Sequence, residues 1–406
     1  MGSKGASGGM PVFAGAVACS RVRGCGSSAE YCIRRAYQRA RIYNRSRKRC
    51  VLHIPKGGGK VIVFWVDSGV QIGLGHLMRC LSLAEQLYAI GECCQFLLKD
   101  ETARRIAADR GFNAIRLESV GLQDDVNSQQ VMTLIKNRDV TSVIVDSYAV
   151  TADFLRRLRT YAPLIYLDDM KAFSYPCDVL VNYNIYGPDW EQDYTERQTS
   201  FGTRLLLGPQ YAPLRKEFDN LPQHQIAKQV QRVFLSTGGS DSFGIMCRLL
   251  KAISFMPEWS EIEFHAVVGA MNPHREQIER MASEMGNVRV HFQLRRVADL
   301  MCQCDVAVSA AGSTLYELCA CGVPTVTYVL ADNQIPGARA FDRQGLIMMA
   351  GDCRAQGTEE KIISQLQRLI ADSNLRELTS RQMQQVVDGK GAWRLAQALL
   401  SFVKAE

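Results

Sequence analysis

The chain has 406 residues, of which 47% are hydrophobic and 22% are charged, and this ordinary globular composition predicts two or three domains. Its formal net charge of +7 comes from residues 1–60, which hold 13 Lys and Arg residues and one acidic residue, whereas the remainder holds 35 basic and 40 acidic residues. The charge therefore argues against a nucleic-acid-binding protein, and the lack of any apolar run near the ~20 residues of a membrane span argues against a membrane protein.

The first 60 residues differ in composition from the rest of the chain. They contain Gly and Ser patches, an arginine-rich stretch from Arg34 to Arg49, and consecutive glycines at 57–59. We interpret residues 1–60 as a basic N-terminal extension, either a tag or a disordered segment, and expect the fold to begin near Lys60. A basic arm for nucleic acid or membrane and an Arg/Ser-rich transit peptide are the alternatives.

Short apolar runs alternate with helical patterns from residue 61 onward. The first helical pattern contains Leu77, Cys80 and Leu81 on its apolar face and Arg79 and Ser82 on the opposite face. Strands are predicted at 61–66, 95–98, 142–145, 164–167 and 178–181, with helical segments between them. Such alternation is typical of a parallel sheet with helices on both faces.

The same alternation restarts after a polar segment. Residues 219–229 contain Pro222 and are predicted to be a linker. Beyond them, strands are predicted at 233–236, 263–268, 288–292, 305–309 and 325–330, and helices at 243–253, 275–285, 313–321, 361–372 and 392–403. The predicted fold is therefore α/β, with two Rossmann-like doubly wound domains, 61–218 and 230–406, that face each other across a cleft.

The cysteine spacing argues against a zinc site. The chain holds 14 cysteines, and most of those after residue 61 lie in apolar stretches. The pairs Cys302/Cys304 and Cys319/Cys321 lack the gap of two to four residues that zinc sites use. We therefore expect buried thiols in a cytoplasmic protein that uses no metal and no cofactor.

A glycine-rich turn precedes the first predicted helix. Gly73 and Gly75 allow a tight turn and close approach of a ligand to the backbone, and the helix start behind them offers free N–H groups. His76 stands at that helix start, where it can act as a general base near neutral pH. A capping or core histidine is the alternative.

A second glycine-rich turn follows the predicted strand 233–236. It consists of Gly238, Gly239, Ser240 and Asp241. A turn of this kind between a strand and a helix suits a phosphate group, although an ordinary tight turn has the same composition.

A third turn, at 310–317, also joins a strand to a helix. Behind Gly312, the hydroxyls of Ser313 and Thr314 can cap the helix or donate to phosphate oxygens. Glu317, one turn beyond Ser313, would repel phosphate but can accept hydrogen bonds from ribose hydroxyls. The pattern therefore fits a nucleoside diphosphate, and a helix cap with a solvated Glu317 is the alternative.

Polar residues follow other predicted strands. Asn333 and Gln334 come after the strand 325–330, and Asp146 and the pair Asp168 and Asp169 end strands of the first domain. Because ligands of such folds bind at the carboxyl ends of the strands, we expect these side chains to face the cleft. The aspartates could orient His76 or bind sugar hydroxyls, and ordinary polar loops are the alternative for Asn333 and Gln334.

Taken together, the motifs resemble the UDP-sugar hydrolases of pseudaminic acid biosynthesis, a family that includes the related spore-coat polysaccharide proteins. The matching stretches are 61–87 with its Gly-x-Gly-His-x-Met-Arg-Cys-Leu core, 207–215, 238–241, 268–274 and 312–334. The resemblance spans residues 61–400 and implies the GT-B fold of the MurG-type glycosyltransferases. The chain departs from the family at Trp65, where an arginine is usual, and residues 1–60 have no counterpart.

The resemblance implies hydrolysis of UDP-2,4-diacetamido-2,4,6-trideoxy-β-L-altropyranose at the anomeric carbon, which would serve polysaccharide biosynthesis or flagellin glycosylation. It implies His76 as the base, with Tyr148 and Asn333 also catalytic in the sugar site. The implied substrate- and UDP-binding residues are Asp67, Gly73, Gly75, Gly238, Gly239, Ser240, Asp241, Gly312, Ser313, Thr314, Glu317 and Gln334. The expected partner is a UDP-sugar, and the oligomeric state is left open. The alternatives are a MurG-like glycosyltransferase with a UDP-amino-sugar donor and a non-catalytic nucleotide-sugar-binding protein.

Overall fold

Two parallel β-sheets form the framework of the computed structural model, which describes residues 60–67, 74–117, 125–136, 139–269, 271–292 and 294–403. The strands of the first sheet are β1 (Val61–Val66), β2 (Cys93–Leu98), β3 (Asn113–Arg116), β4 (Val140–Asp146), β5 (Leu164–Leu167), β6 (Val179–Asn182) and β7 (Arg204–Leu207). The helices between them are α1 (Gly75–Ala89), α2 (Glu101–Asp109), α3 (Asp125–Lys136), α4 (Ala152–Arg159) and α5 (Glu191–Gln198). The spatial order is β3-β2-β1-β4-β5-β6-β7, so the chain winds outward in both directions from β1 and β4.

The second sheet is built in the same way. Its strands are β8 (Arg232–Ser236), β9 (Glu263–Val268), β10 (Val288–Phe292), β11 (Val306–Ala310), β12 (Thr325–Val329) and β13 (Met348–Asp352), in the spatial order β10-β9-β8-β11-β12-β13. The remaining helices are α6 (Ile245–Ser254), α7 (Arg275–Met285), α8 (Val297–Met301), α9 (Thr314–Cys321), α10 (Ile335–Arg343), α11 (Thr358–Ala371), α12 (Ser373–Val386) and α13 (Gly391–Val403). The predicted α/β fold with two doubly wound units is therefore confirmed.

The central strands are buried on both faces, which explains why they appear in the sequence as continuous apolar runs. Every residue of β1 and of β11 is buried. Alternate side chains of β1 point to opposite faces, so that Phe64 packs in the core that contains α1, and Trp65 packs in the core on the other face, edge-on to Phe154.

Most predicted strands of the sheet interiors match the observed ones closely, whereas β3, β7 and β13 were missed. These three strands lie at sheet edges, where each has a single neighbour and is partly exposed. Within each of these strands the apolar run is at most three residues long, shorter than the four to eight that mark a strand buried on both faces. None of the helices in the described part of the chain has both the length and the apolar composition that crossing a membrane would require.

The carboxyl edges of the two sheets meet at a cluster of aromatic residues. Tyr183 and Tyr186, just after β6, belong to the same buried core as Tyr316 of α9 and Phe341 of α10. The Tyr183 and Tyr316 ring centroids are 5.5 Å apart, and the Tyr316 hydroxyl accepts from the Ile185 amide at 3.1 Å. The segment that follows β6 in one lobe is thus packed against the first turn of α9 in the other.

The C-terminal helix packs on the first lobe. Leu395, Ala396 and Leu399 of α13 share a buried core with Leu77 and Leu81 of α1. The sequence assigned residues 230–406 to the second domain, whereas the apolar face of α13 completes the core of the first. The helix therefore joins the two lobes a second time, in addition to the segment 219–229, which contains no helix or strand.

Shortening the buried side chain of α13 should reveal this docking. Leu395 is fully buried, so Leu395→Ala should lower the free energy of unfolding by about 2–5 kcal/mol, measured by denaturant titration. The control Trp393→Ala, on the same helix with 51% of the residue exposed, should cost less than about 1 kcal/mol. Equal losses in the two variants would contradict the packing of α13 against α1.

Candidate active site

Helix α1 places His76 beside the end of β4. The helix is anchored by Leu77, Cys80 and Leu81, which are all completely buried. His76 lies in its first turn and is itself 7% exposed. Its Nδ1 is 2.6 Å from Oδ1 of Asp146, the last residue of β4, which is the strand next to β1.

The contact with Asp146 determines which nitrogen of His76 carries the proton in the neutral ring. An ionised carboxylate can only accept a hydrogen bond, so Nδ1 must donate to it. The neutral imidazole then has an unprotonated Nε2. A histidine oriented in this way by a carboxylate can remove a proton from a hydroxyl or from water.

Arg79, one turn after His76, binds the same carboxylate. Its Nε and Nη2 donate to the two oxygens of Asp146 at 2.6 and 2.5 Å, and Nη2 is also 3.2 Å from Nδ1 of His76. Its Nη1 donates to the Tyr183 hydroxyl at 3.0 Å. The sequence placed Arg79 on the polar outer face of the helix, and that expectation is wrong, because its side chain is only 10% exposed.

Asp146 remains ionised in this environment. Burial would raise the pKa of its carboxyl, but Arg79 and His76 outweigh burial and hold that pKa well below its ordinary value. The sequence indicates that Asp146, like the other aspartates at strand ends, could orient His76. In the structure Asp146 is the one that contacts the imidazole. Arg79 was missed because nothing in the local pattern distinguishes an inward-facing arginine from a solvated one.

Tyr148 lies against the imidazole. The two rings meet edge-on with centroids 4.7 Å apart, and the Tyr148 hydroxyl donates to Asp169 Oδ2 at 2.8 Å. Burial, followed by the charge of Asp169, raises the pKa of Tyr148, so this phenol stays protonated. With 41% of the residue exposed, Tyr148 is accessible to a ligand.

Asp67 was predicted to bind substrate, but the structure shows it holding the loop that carries Tyr148. Its Oδ2 accepts from the Ser147 hydroxyl at 2.7 Å and from the Tyr148 amide at 3.0 Å. Asp168 is likewise internal, since its carboxylate accepts from the hydroxyls of Tyr175 and Tyr194. Of the two adjacent aspartates, Asp169 is therefore the one that reaches the His76 cluster.

The glycines of the predicted turns face open space. A Cβ added at Gly75 or Gly238 would meet nothing within 4 Å, and one at Gly239 or Gly312 would meet only a side-chain atom at 3.8 or 3.9 Å. Packing within the protein thus does not exclude a side chain at these four positions. Gly238 has a φ of 74°, which only glycine adopts readily. Gly73 lies outside the described residues.

The residues predicted to meet UDP at α9 differ in accessibility. Ser313 is exposed, and its hydroxyl makes no capping hydrogen bond to the helix, whereas Thr314 is half-buried. The Glu317 carboxylate forms an ion pair with Arg215, with Nη2 and Oε1 2.8 Å apart. Burial raises the pKa of Glu317, and the charge of Arg215 opposes this. The expected alternative of a solvated Glu317 is therefore wrong, and its role at a ribose stays a prediction.

Asp241 has a structural role that the sequence did not reveal. Its carboxylate is completely buried and accepts from the backbone amides of Ile245 and Met246 at 2.8 and 3.0 Å. It thereby satisfies free N–H groups in the first turn of α6. The Asp241 carboxylate is thus occupied by this cap, and its contact with substrate stays a prediction, while the neighbouring Ser240 is half-buried.

Asn333 and Gln334 lie at the end of β12, as the sequence predicts, but only one is accessible. Asn333 is exposed, whereas Gln334 is half-buried and its Oε1 accepts from the Leu330 amide at 2.8 Å. Gln334 therefore shapes the loop beside Gly312.

Two other sequence expectations concern residues outside this cluster. Trp65, which stands where an arginine is usual, is 5% exposed. Its side chain packs in the core on the face of β1 opposite α1. Within the residues that the structure describes, no three His, Cys, Asp or Glu side chains are grouped so that they could hold a metal ion.

Known proteins resemble this chain in sequence. Residues 233–392 match the Glycosyltransferase family 28 C-terminal domain. The chain is 23% identical over 346 residues to the spore coat polysaccharide biosynthesis protein SpsG of Bacillus subtilis, which covers 84% of this chain and 98% of that protein. It is 26% identical over 261 residues to the UDP-2,4-diacetamido-2,4,6-trideoxy-beta-L-altropyranose hydrolase of Campylobacter jejuni, which covers 63% of this chain and 86% of that protein.

Solved structures show the fold. Acinetobacter baumannii MurG has a TM-score of 0.58 at 14% identity, over 84% of this chain and 99% of MurG. A UGT transferase from Siraitia grosvenorii in complex with UDP has a TM-score of 0.59 at 14% identity, over 85% of this chain and all of the transferase. The chain is therefore a GT-B protein similar to SpsG and to the Campylobacter hydrolase, and the resemblance found in the sequence is confirmed.

The structural role of Asp241 can be tested by stability measurements. Asp241→Ala removes an acceptor of two buried backbone amides and should lower the free energy of unfolding by about 1–3 kcal/mol. The adjacent control, Ser240→Ala, should change it by less than about 0.5 kcal/mol. Comparable unfolding curves for wild type and Asp241→Ala would show that α6 does not depend on this cap.

Proposed function

We propose that this protein acts on a UDP-sugar and releases UDP by attack of water on the anomeric carbon. The proposed substrate is a UDP-2,4-diacetamido-2,4,6-trideoxyhexose of the altropyranose type, as in the name of the Campylobacter relative. The match to a glycosyltransferase C-terminal domain supports the broader statement that the substrate is a nucleotide sugar.

The observation that carries the proposal is the hydrogen bond between Nδ1 of His76 and Asp146. With Nδ1 donating at 2.6 Å, Nε2 of the neutral ring is available to accept a proton from water. His76 lies at the start of α1, beside the carboxyl end of β4, the central strand next to β1. In a doubly wound fold this edge is where ligands bind.

Tyr148 and Asn333 are proposed to bind the sugar. The Tyr148 phenol is exposed, packs on the His76 ring and is protonated, so its face and its hydroxyl can both contact a pyranose. Asn333 is exposed at the end of β12 and can offer an amide to the N-acetyl groups or hydroxyls from the other lobe.

The diphosphate is proposed to bind at the turns after β8 and β11. There Gly238, Gly239 and Gly312 leave the backbone open, and Ser240 and Ser313 supply hydroxyls. The start of α9, which follows the second turn, adds backbone N–H groups and the positive end of its dipole. Thr314 and Glu317 on α9 are the proposed contacts to UDP beyond the diphosphate, with Glu317 reaching the ribose.

These parts divide the chemistry between the lobes. His76 takes a proton from water as the oxygen attacks C1, and the C1–O bond to the diphosphate breaks with inversion. The leaving UDP is already anionic, so it needs charge stabilisation more than protonation. The helix start and the glycine turns of the second lobe are suited to supply that stabilisation.

A glycosyltransferase is the second candidate, and the family 28 C-terminal domain favours it. The same base would then deprotonate an acceptor hydroxyl in place of water. The two reactions differ in what they need: a hydrolase releases UDP from the donor in buffer at its full turnover rate, whereas a transferase does so only when an acceptor is present.

Replacing His76 tests the proposed base. His76→Asn should lower the rate of UDP release from the UDP-diacetamido-trideoxyhexose by at least about 100-fold, because a positioned general base contributes about 10²–10⁴-fold. The dissociation constant for UDP, measured by calorimetry, should stay within a few-fold of wild type, since His76 lies in the other lobe from the proposed diphosphate turns.

The matched control is His224→Asn, because His224 lies in the segment 219–229, where its amide donates to Gln384, and has no part in the proposed mechanism. This variant should release UDP within a few-fold of the wild-type rate. Near-normal turnover by His76→Asn would remove His76 from the mechanism.

A further inference from the structure

A general base must be unprotonated before it can act, and a buried carboxylate beside a histidine favours the protonated ring. The negative charge of the carboxylate favours a second proton on the imidazole, and burial next to it strengthens this attraction. An imidazolium cannot accept a proton from water. A positive charge that offsets the carboxylate therefore extends to lower pH the range in which a buried His–Asp pair works as a base.

In this protein the offsetting charge is adjacent to both groups. The Arg79 guanidinium bonds both oxygens of Asp146, at 2.6 and 2.5 Å, and its Nη2 lies 3.2 Å from Nδ1 of His76. Since Nδ1 already donates to Asp146, the approach of Arg79 to Nδ1 is a contact between two donors. That contact is not a hydrogen bond, and the nearby guanidinium charge becomes more unfavourable when the ring gains a positive charge of its own.

We propose that Arg79 is a positioning residue that keeps His76 in its neutral, proton-accepting form by neutralising the charge of Asp146. This inference rests on the proposed role of His76 as the base. It gives Arg79 a function in setting the pH range of activity, distinct from contact with the reacting atoms.

Among the residues that the structure describes, the other groups around His76 do not replace this charge. The titratable side chains of this part of the chain that face His76 or its two charged neighbours come from α1, from the ends of β4 and β5 and from the segment after β6. They are Arg79, Cys80, Asp146, Tyr148, Asp169 and Tyr183. Arg79 is the cation in this set, and the pKa of Tyr148 and of Cys80 is raised by burial, so both stay neutral. Asp169 reaches the cluster through the Tyr148 hydroxyl and, at 3.4 Å, through Arg79 Nη1.

The geometry also explains how the guanidinium is held in place. Three of its nitrogens are used at once: Nε and Nη2 on Asp146, and Nη1 on the Tyr183 hydroxyl at 3.0 Å. Tyr183 in turn packs edge-on against Tyr316 of the second lobe. The planar fork is therefore held from both sides, which a lysine ammonium could not reproduce.

The test is the pH dependence of kcat/KM for UDP release. Arg79→Met should move the midpoint of the acid limb to higher pH by about one unit, since an adjacent charge shifts protonation by about 1–3 units. The rate should then fall about tenfold on the acid side and recover above the shifted midpoint. Arg79→Lys, which keeps the charge, should leave the midpoint within about half a unit.

A second pair of variants covers the case in which Arg79→Met does not fold because Asp146 is left unpaired. Asp146→Asn should move the midpoint to lower pH, because the charge of Arg79 then acts on the ring without an opposing carboxylate. The double variant Arg79→Met with Asp146→Asn removes both charges and should return the midpoint to within about half a unit of wild type.

The matched control is Arg110→Met. Arg110 follows α2 and forms an ion pair at 2.7 Å with Glu85, which lies on α1 as Arg79 does but away from His76. Replacing Arg110 should therefore leave the wild-type pH profile unchanged. An Arg79→Met profile that is lower at every pH with an unmoved acid limb would overturn the tuning role, and so would a double variant whose midpoint stays where Asp146→Asn puts it. If His76→Asn retained activity, the proposed function itself would fail, so the two failures are distinguishable.

Discussion

The buried carboxylate of Asp146 is the interaction on which the candidate active site depends. Its side chain is 1% exposed, and a charge in that position is stable only when it is fully hydrogen-bonded. Its partners His76, Arg79 and Cys80 all come from one face of α1. The carboxylate therefore fixes α1 against the end of β4 and, through the same bonds, orients the imidazole and the guanidinium. Removing Arg79 would leave the buried carboxylate without its cationic partner.

From this cluster the contacts continue into the second lobe. Arg79 holds Tyr183, and Tyr183 packs on Tyr316 at the start of the helix that we propose to bind UDP. The ion pair of Arg215 with Glu317 makes a second link between that helix and the segment leading to the linker. The proposed base and the proposed diphosphate turns thus belong to different sheets whose edges are held together. A shift between the lobes would change both parts at once.

The sequence was sufficient for the fold and for the placement of the candidate residues at the carboxyl ends of strands, because both depend on periodicity and on turns. The apolar runs of β1 and β11 are unambiguous, and the glycines at 75, 238 and 312 occur where strands give way to helices. What the sequence could not give is the direction of each charged side chain. Both Arg79 and Asp241 are polar residues that the structure buries. The partner of Arg79 is Asp146, 67 residues away, whereas the partner of Asp241 is the amide of Ile245 in the next turn. Such partners are set by tertiary packing, which a local pattern does not encode.

The central claim is that water attacks the sugar and not a phosphate. A UDP-sugar can be cut at phosphorus, which leaves UMP and a sugar phosphate, or at C1, which leaves UDP and a free sugar. Because His76 lies in one lobe and the proposed diphosphate turns lie in the other, the base would face the sugar ring and not the phosphates. Reaction in H₂¹⁸O, stopped within seconds so that ring opening does not exchange the label, decides between the two by mass spectrometry. The account predicts the label on the anomeric oxygen of the sugar and none in UDP, and label in a phosphate group would contradict it.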